Sequence, residues 1–162
     1  MSRASSAALS ALLLAVPLFG SHPARSATHT DVLNVSATVL CACSLSGGTL
    51  NFGQYTSGQT TNLDVNGTIN YVNCSGNLSF ALDGGGTGNI NARQMSQGAS
   101  RLSYQIYRNS TRNAIWGSGA DAQGVTLIGT QSGTVIVYGR IPANQAVPDG
   151  TYTDIVNVTL TF

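Results

Sequence analysis

The chain has 162 residues, of which only 8% are charged, and its seven basic and six acidic side chains leave a net charge of +1. Every basic residue is Arg and every acidic one Asp, with no Lys and no Glu anywhere. So few cations cannot build the basic surface that nucleic acid or acidic lipid would need, and neither is expected as a partner.

Residues 1–27 read as a signal peptide. Arg3 supplies a weak positive start, and the apolar run Ala7 to Phe19 is shorter than the roughly 20 residues of a membrane span. Cleavage after Ser26 or Ala27 fits the small residues there and leaves 135 of the 162 residues, enough for one domain. No later segment is apolar for long enough to insert in a bilayer, so the protein is expected to be exported.

From Leu33 the chain alternates. Leu33, Val35, Ala37, Val39, Cys41, Cys43 and Leu45 share one parity against Asn34, Ser36, Thr38 and Ser44, the pattern of a strand with one buried face. An unbroken strand over 33–45 would run about 40 Å, far beyond the usual five or six residues. Either it bends across two sheets, or its upstream half serves a different molecule from its downstream half. The three cysteines of an exported chain imply one disulfide and one leftover thiol. Cys74 is the distal partner. Cys41 and Cys43 point to the same face and either could be its mate, with Cys43 preferred and Cys41 the alternative. A metal site lacks a fourth ligand, since His29 is the only other candidate after cleavage, and no cofactor is implied.

Short predicted strands follow: Thr49–Gly53, Gly67–Val72, Leu78–Leu82, Leu102–Arg108, Val125–Ile128 and Gly133–Val137, the last running on to Ile141. Asp83-Gly-Gly-Gly86, Asn109-Ser110 and Pro148-Asp149-Gly150 are turn chemistry. No apolar residues recur at helical spacing, and seven or so strands predict an all-β sandwich. The Gly-rich stretch 83–88 lacks the Lys and the helix of a phosphate loop. The aspartates sit singly beside turns, as solvated residues do. No Ser/His/Asp set can be built, and an enzyme is not expected. Trp116 with the tyrosines could line a sugar site, but Trp116 reads better as a core anchor.

The last stretch, Thr151 to Phe162, has the cleanest period of all. Tyr152, Val156, Val158, Leu160 and Phe162 share one parity, broken only by Asp154, and Thr or Asn occupies most of the other. A strand of this kind needs a neighbour, supplied either by an earlier segment or by another molecule.

Taken together, these residues resemble the spore coat protein U domain family, which includes subunits of archaic chaperone–usher pili. The resemblance rests on Val35–Val39 leading to Cys43-Ser-Leu and Leu50-Asn-Phe-Gly53, then Cys74, Asp83-Gly-Gly, Arg93-Gln-Met95, Leu102–Tyr107 and Trp116-Gly117. Its most specific part is the tail, Val137-Tyr-Gly-Arg-Ile-Pro142 through Gly150-Thr-Tyr-Thr-Asp154 to Val158–Phe162. Cys41 departs from that pattern. The resemblance implies an incomplete immunoglobulin-like β-sandwich, residues 40–162, completed by a strand from elsewhere. It also implies a periplasmic chaperone, an outer-membrane usher and neighbouring subunits as partners, and a cell-surface or secreted destination. On this reading residues 28–39 are a donor strand presenting Leu33, Val35, Ala37 and Val39. The strand with Val156, Val158, Leu160 and Phe162 borders the acceptor groove and is what the chaperone grips. A secreted coat or matrix protein with a self-completed sandwich is the alternative, and a carbohydrate-binding module a more distant one.

Overall fold

A computed structural model of the protein describes residues 29–38 and 42–162. Contacts divide the chain between Ala37 and Thr38 into two units. The expected signal peptide, Val39 and Cys41 lie outside the described residues.

In the first unit, residues 29–37 carry no regular secondary structure, and Val32, Leu33 and Val35 are each at least 80% exposed. The alternating pattern from Leu33 to Leu45 does not form one unbroken strand. Alternation gives a segment two chemically distinct faces, but a strand exists only by hydrogen bonding to a neighbour. Among the described residues the first with such a neighbour are those of β1 (Ser44–Thr49), paired antiparallel with β2 (Leu63–Leu82).

The second unit is built on two long strands, β2 and β6 (Gln123–Ile141), where the sequence predicts four or five short ones. They pair antiparallel almost end to end, from Leu63↔Ile141 to Phe80↔Gln123. The stretch around Cys74, between the two short strands expected there, does not end β2. Asn73 (φ 54°) and Gly76 (φ 78°) enter the left-handed region and shift the register there, as does Gly129 (φ 75°) on β6. These are bulges, which bend a ribbon without breaking it. The bend is sharp. Tyr71 and Phe80 lie nine residues apart on β2, about 30 Å in a straight strand, yet their ring centroids are 5.8 Å apart. The inward parity also changes across the bulge, from Ile69 and Tyr71 to Cys74, Leu78, Phe80 and Leu82, all buried. An extra residue at this point keeps the apolar side facing inward on both halves.

One half of the ribbon belongs to the path β1–β2–β6–β5, with β5 spanning Gln105–Tyr107; the other half of β2 carries β7 (Val158–Thr161). A separate hairpin joins β3 (Gln94–Gln97) to β4 (Ser100–Ser103). The expected strand Leu102–Arg108 is thus split at Tyr104 into β4 and β5, and the Tyr104 N–H bonds the Arg93 carbonyl at 3.0 Å, in register with the β3–β4 hairpin. The stretch Leu50–Gly53, expected as strand, is irregular. Trp116 is wholly buried and donates its indole N–H to the Phe80 carbonyl at 2.7 Å, as an anchor of the core. Cys43, immediately before β1, is disulfide-bonded to the fully buried Cys74 in the middle of β2.

Candidate functional site

A groove of about 850 Å³ opens along the second unit. It is lined by Leu50, Phe52 and Tyr55 after β1, by Tyr152, Asp154, Val156 and Val158 near the C-terminus, and by buried core residues including Ile69, Leu82, Leu102, Ile106, Val137 and Ile141. Folded interiors hold few voids larger than a water. At about 30 Å³ of liquid per water, this groove equals the share of nearly thirty. Its size is that of an extended peptide segment, and the buried side chains at its base, Ile69, Leu82, Leu102, Ile106, Val137 and Ile141, are apolar.

The C-terminal stretch explains why the groove has an edge that can bind. Along residues 152–160 burial alternates: Tyr152, Asp154, Val156, Val158 and Leu160 are half-buried, and the residues between them are exposed. Ile155, off parity by type, is 79% exposed. Only Val158–Thr161 is paired as a strand, with Ser79–Leu82 of β2. Upstream, Thr153 exchanges both main-chain bonds with Ser96 (2.9 and 3.1 Å), and the Asn157 carbonyl accepts the Asp83 N–H at 3.2 Å. Main-chain groups alternate between the two edges of an extended strand. With Thr153 and Asn157 committed to one edge, those of Tyr152, Asp154 and Val156 face the other. Among the described residues no strand pairs with that edge.

Asp154 interrupts the apolar stripe in sequence but not in space. Its Oδ2 accepts the Tyr104 hydroxyl at 2.6 Å, and its Oδ1 accepts the N–H groups of Gly86 and Ile155 at 2.8 Å each. Asp83 answers from the loop side. Its Oδ1 accepts the Gly85 and Asn157 N–H groups at 2.9 Å, and its Oδ2 accepts the Asn157 side-chain amide at 2.6 Å. The Gly-rich loop is therefore an internal carboxylate clasp. Gly85 has φ +60°, and a Cβ there would run into the Asp154 carboxylate. Asp154 is half-buried and Asp83 exposed, yet both carboxylates are tied into the loop rather than left to solvent alone as the sequence suggested. Burial alone would raise the Asp83 pKa, but the hydrogen bonds from Gly85 and Asn157 outweigh it and hold the carboxyl below its usual range. Burial, then the bond to Asp154, pushes the Tyr104 phenol well up. Behind the loop, the buried Arg93 guanidinium donates to the Asp83 carbonyl (2.6 and 3.0 Å), the Trp116 carbonyl (2.8 Å) and Gln105 Oε1 (2.7 Å).

Of the residues named from sequence, Val156 and Val158 line the groove. Leu160 is half-buried opposite Phe80, and Phe162 is 58% exposed. Leu33, Val35 and Ala37 are exposed in the first unit, and Val39 lies outside the described residues. Leu50, Phe52, Tyr55, Tyr104 and Asp154 were not anticipated as groove residues. For Asp154 a signal existed, because it occupies the inward parity of an otherwise apolar stripe.

An all-β sandwich with an open-edged groove is the architecture of a chaperone–usher pilin. Among solved structures, the chain resembles one in the CsuC–CsuE chaperone–tip adhesion subunit pre-assembly complex from archaic chaperone–usher Csu pili of Acinetobacter baumannii. The TM-score is 0.56 at 23% identity, covering 77% of this chain and 41% of that one. That likeness establishes the incomplete immunoglobulin-like fold. The model of the Spore Coat Protein U domain matches residues 29–159, and the chain belongs to that family. Protein U of Myxococcus xanthus is 36% identical over 175 residues, covering 96% of this chain and 97% of that one.

Proposed function

We propose that this protein is a structural subunit of an archaic chaperone–usher pilus, exported through the periplasm and displayed at the cell surface. Its segment 28–39 enters the groove of a neighbouring subunit, and its own groove takes the segment of the next. A head-to-tail contact of this kind does not close, so it produces a fibre. The observation that carries the reading is the groove itself, apolar at its base and bordered by the open edge of Tyr152–Val156. Strand addition draws affinity from main-chain bonds along such an edge and specificity from alternate side chains in pockets. Burying Leu33, Val35 and Val39, with Ala37, is worth on the order of 5–10 kcal/mol, comparable to the whole stability of an ordinary domain. Before assembly a periplasmic chaperone occupies the groove and covers Leu160 and Phe162, and an outer-membrane usher directs the exchange. The fibre serves surface attachment or biofilm formation.

The test is a pair of altered chains. Deleting residues 28–38 should leave chaperone binding intact and abolish polymerisation. Appending residues 28–39 after Phe162 through a flexible linker should give a monomer that melts higher than the wild-type monomer. The description of the family, a Spore Coat Protein U domain, favours a second reading, a secreted coat protein whose N-terminal segment completes its own sandwich. That reading predicts the reverse: the deletion unfolds the subunit and the fusion changes little.

A further inference from the structure

Residues 151–157 have few ties to the rest of the unit. The bridge from Thr153 to Ser96 is the one main-chain pairing upstream of Asn157 among the described residues. Tyr152 and Val156 are half-buried against the core along the groove, and the Tyr152 hydroxyl donates to the Pro148 carbonyl at 2.9 Å. The polar ties that reach from the stretch to the Gly-rich loop are the two carboxylates. Asp154 reaches from the stretch into the loop, and Asp83 reaches from the loop to Asn157, so the two clasps sit on either side of Val156. A half-buried carboxylate costs desolvation energy unless its oxygens are bonded, and all three bonds to Asp154 come from groups fixed elsewhere or by its own backbone. Tyr104 extends the device across the groove. Its hydroxyl holds Asp154, while its buried ring meets Phe52 edge-on at 5.8 Å.

We propose that Asp154 is the positioning residue of the groove edge: held by the Tyr104 hydroxyl and the Gly86 N–H, it fixes residues 151–157 in the extended conformation that an incoming strand pairs with. The proposal rests on the strand-acceptor reading above and adds the device that prepares the acceptor. An apolar residue at 154 would bury more surface but would leave the edge free to bend, and the incoming strand would then have to order it on capture.

The experiment uses the mature chain at concentrations where it is monomeric, as wild type, Asp154→Ala and Tyr104→Phe. Amide exchange is measured throughout, and binding is measured with a labelled synthetic peptide of residues 28–39. Asp154→Ala should speed exchange at the bonded Thr153, Ile155 and Asn157 amides by tenfold or more, leave β2 and β6 protected, and weaken peptide binding on the order of tenfold. Tyr104→Phe, which removes one hydroxyl, should move both readouts the same way by less; it decides the matter if Asp154→Ala exposes the whole domain. Unchanged exchange at 151–157 and unchanged peptide affinity in the variants would overturn the proposal. Failure of the wild type to bind the peptide would instead refute strand capture, while exchange still reports whether Asp154 holds the edge.

Discussion

Breaking the disulfide offers the most direct measure of how the acceptor unit is held together. Cys43 and Cys74 are 31 residues apart in sequence. On the chain-entropy account, closing a loop of that length removes about 12 cal/mol/K from the unfolded ensemble, or about 3.7 kcal/mol at 25 °C. For a domain of this size each kcal/mol moves Tm by about 3–5 °C, so reduction should lower it by about 10–20 °C. Mutating Cys74 would confound the measurement, because it is fully buried and its removal would leave a cavity. The cleaner perturbation keeps every other atom. A Cys41→Ser chain, which has no competing thiol, is unfolded, reduced, refolded in reductant and melted beside its oxidised form. A fall of less than about 3 °C would refute the reasoning, as would peptide mapping of the wild type that finds Cys74 joined to Cys41.

Arg93→Lys should cost on the order of 3 kcal/mol in denaturant unfolding, because one ammonium cannot satisfy the Asp83, Trp116 and Gln105 acceptors that the guanidinium fork spans. A midpoint within about 0.5 kcal/mol of wild type would show that the fork is dispensable. Asp64 should contribute acid sensitivity. The bidentate hydrogen bond from Arg140 leads in holding its carboxyl below the usual range, with Arg112 assisting against a smaller effect of burial. A depressed pKa gives stability that is present above the unfolded value, near pH 4, and is lost as pH falls through the folded one. Asp64→Asn should therefore lower the urea midpoint at pH 7 and flatten its decline in acid; an equally steep decline would remove Asp64 from the account.

How much of this was legible depended on where each residue's partner lies. The inward stripe from Tyr152 to Leu160 could be read directly, because period two is a local property of the chain. Asp154 could not be read as part of it, since what lets a carboxylate face inward is a hydroxyl 50 residues away and an amide 68 residues away. Asn73 and Gly76 are of residue types that accept left-handed backbone, but such residues serve turns and bulges alike. Pairing across β6 on both sides of Cys74 is what makes them a bulge. The alternation from Leu33 to Leu45 was real as patterning and still gave no strand before Ser44 among the described residues, because pattern supplies a face and not a neighbour. The disulfide lay between these cases: Cys74 was identifiable as the distal partner, while the choice between two residues of equal parity was left to the fold.

The placement of that disulfide has a mechanical consequence. In the proposed fibre, tension enters each subunit through its N-terminal segment and leaves through the strand held in its groove. Pulled from the N-terminal side, the chain transmits force at Cys43 straight through a covalent bond to Cys74 on β2, so β1 can peel no earlier than that bond breaks. The stretch 151–157 that borders the groove runs on into β7, which is paired to β2 at Ser79–Leu82, a few residues further along the same strand. Both ends of the load therefore meet on β2, which is laced to β6 along most of its length. Between the sulfur bridge and β7 tension crosses the subunit through one strand, while the β3–β4 hairpin and the Gly-rich loop meet it only at the groove edge, through Ser96 and Gly86.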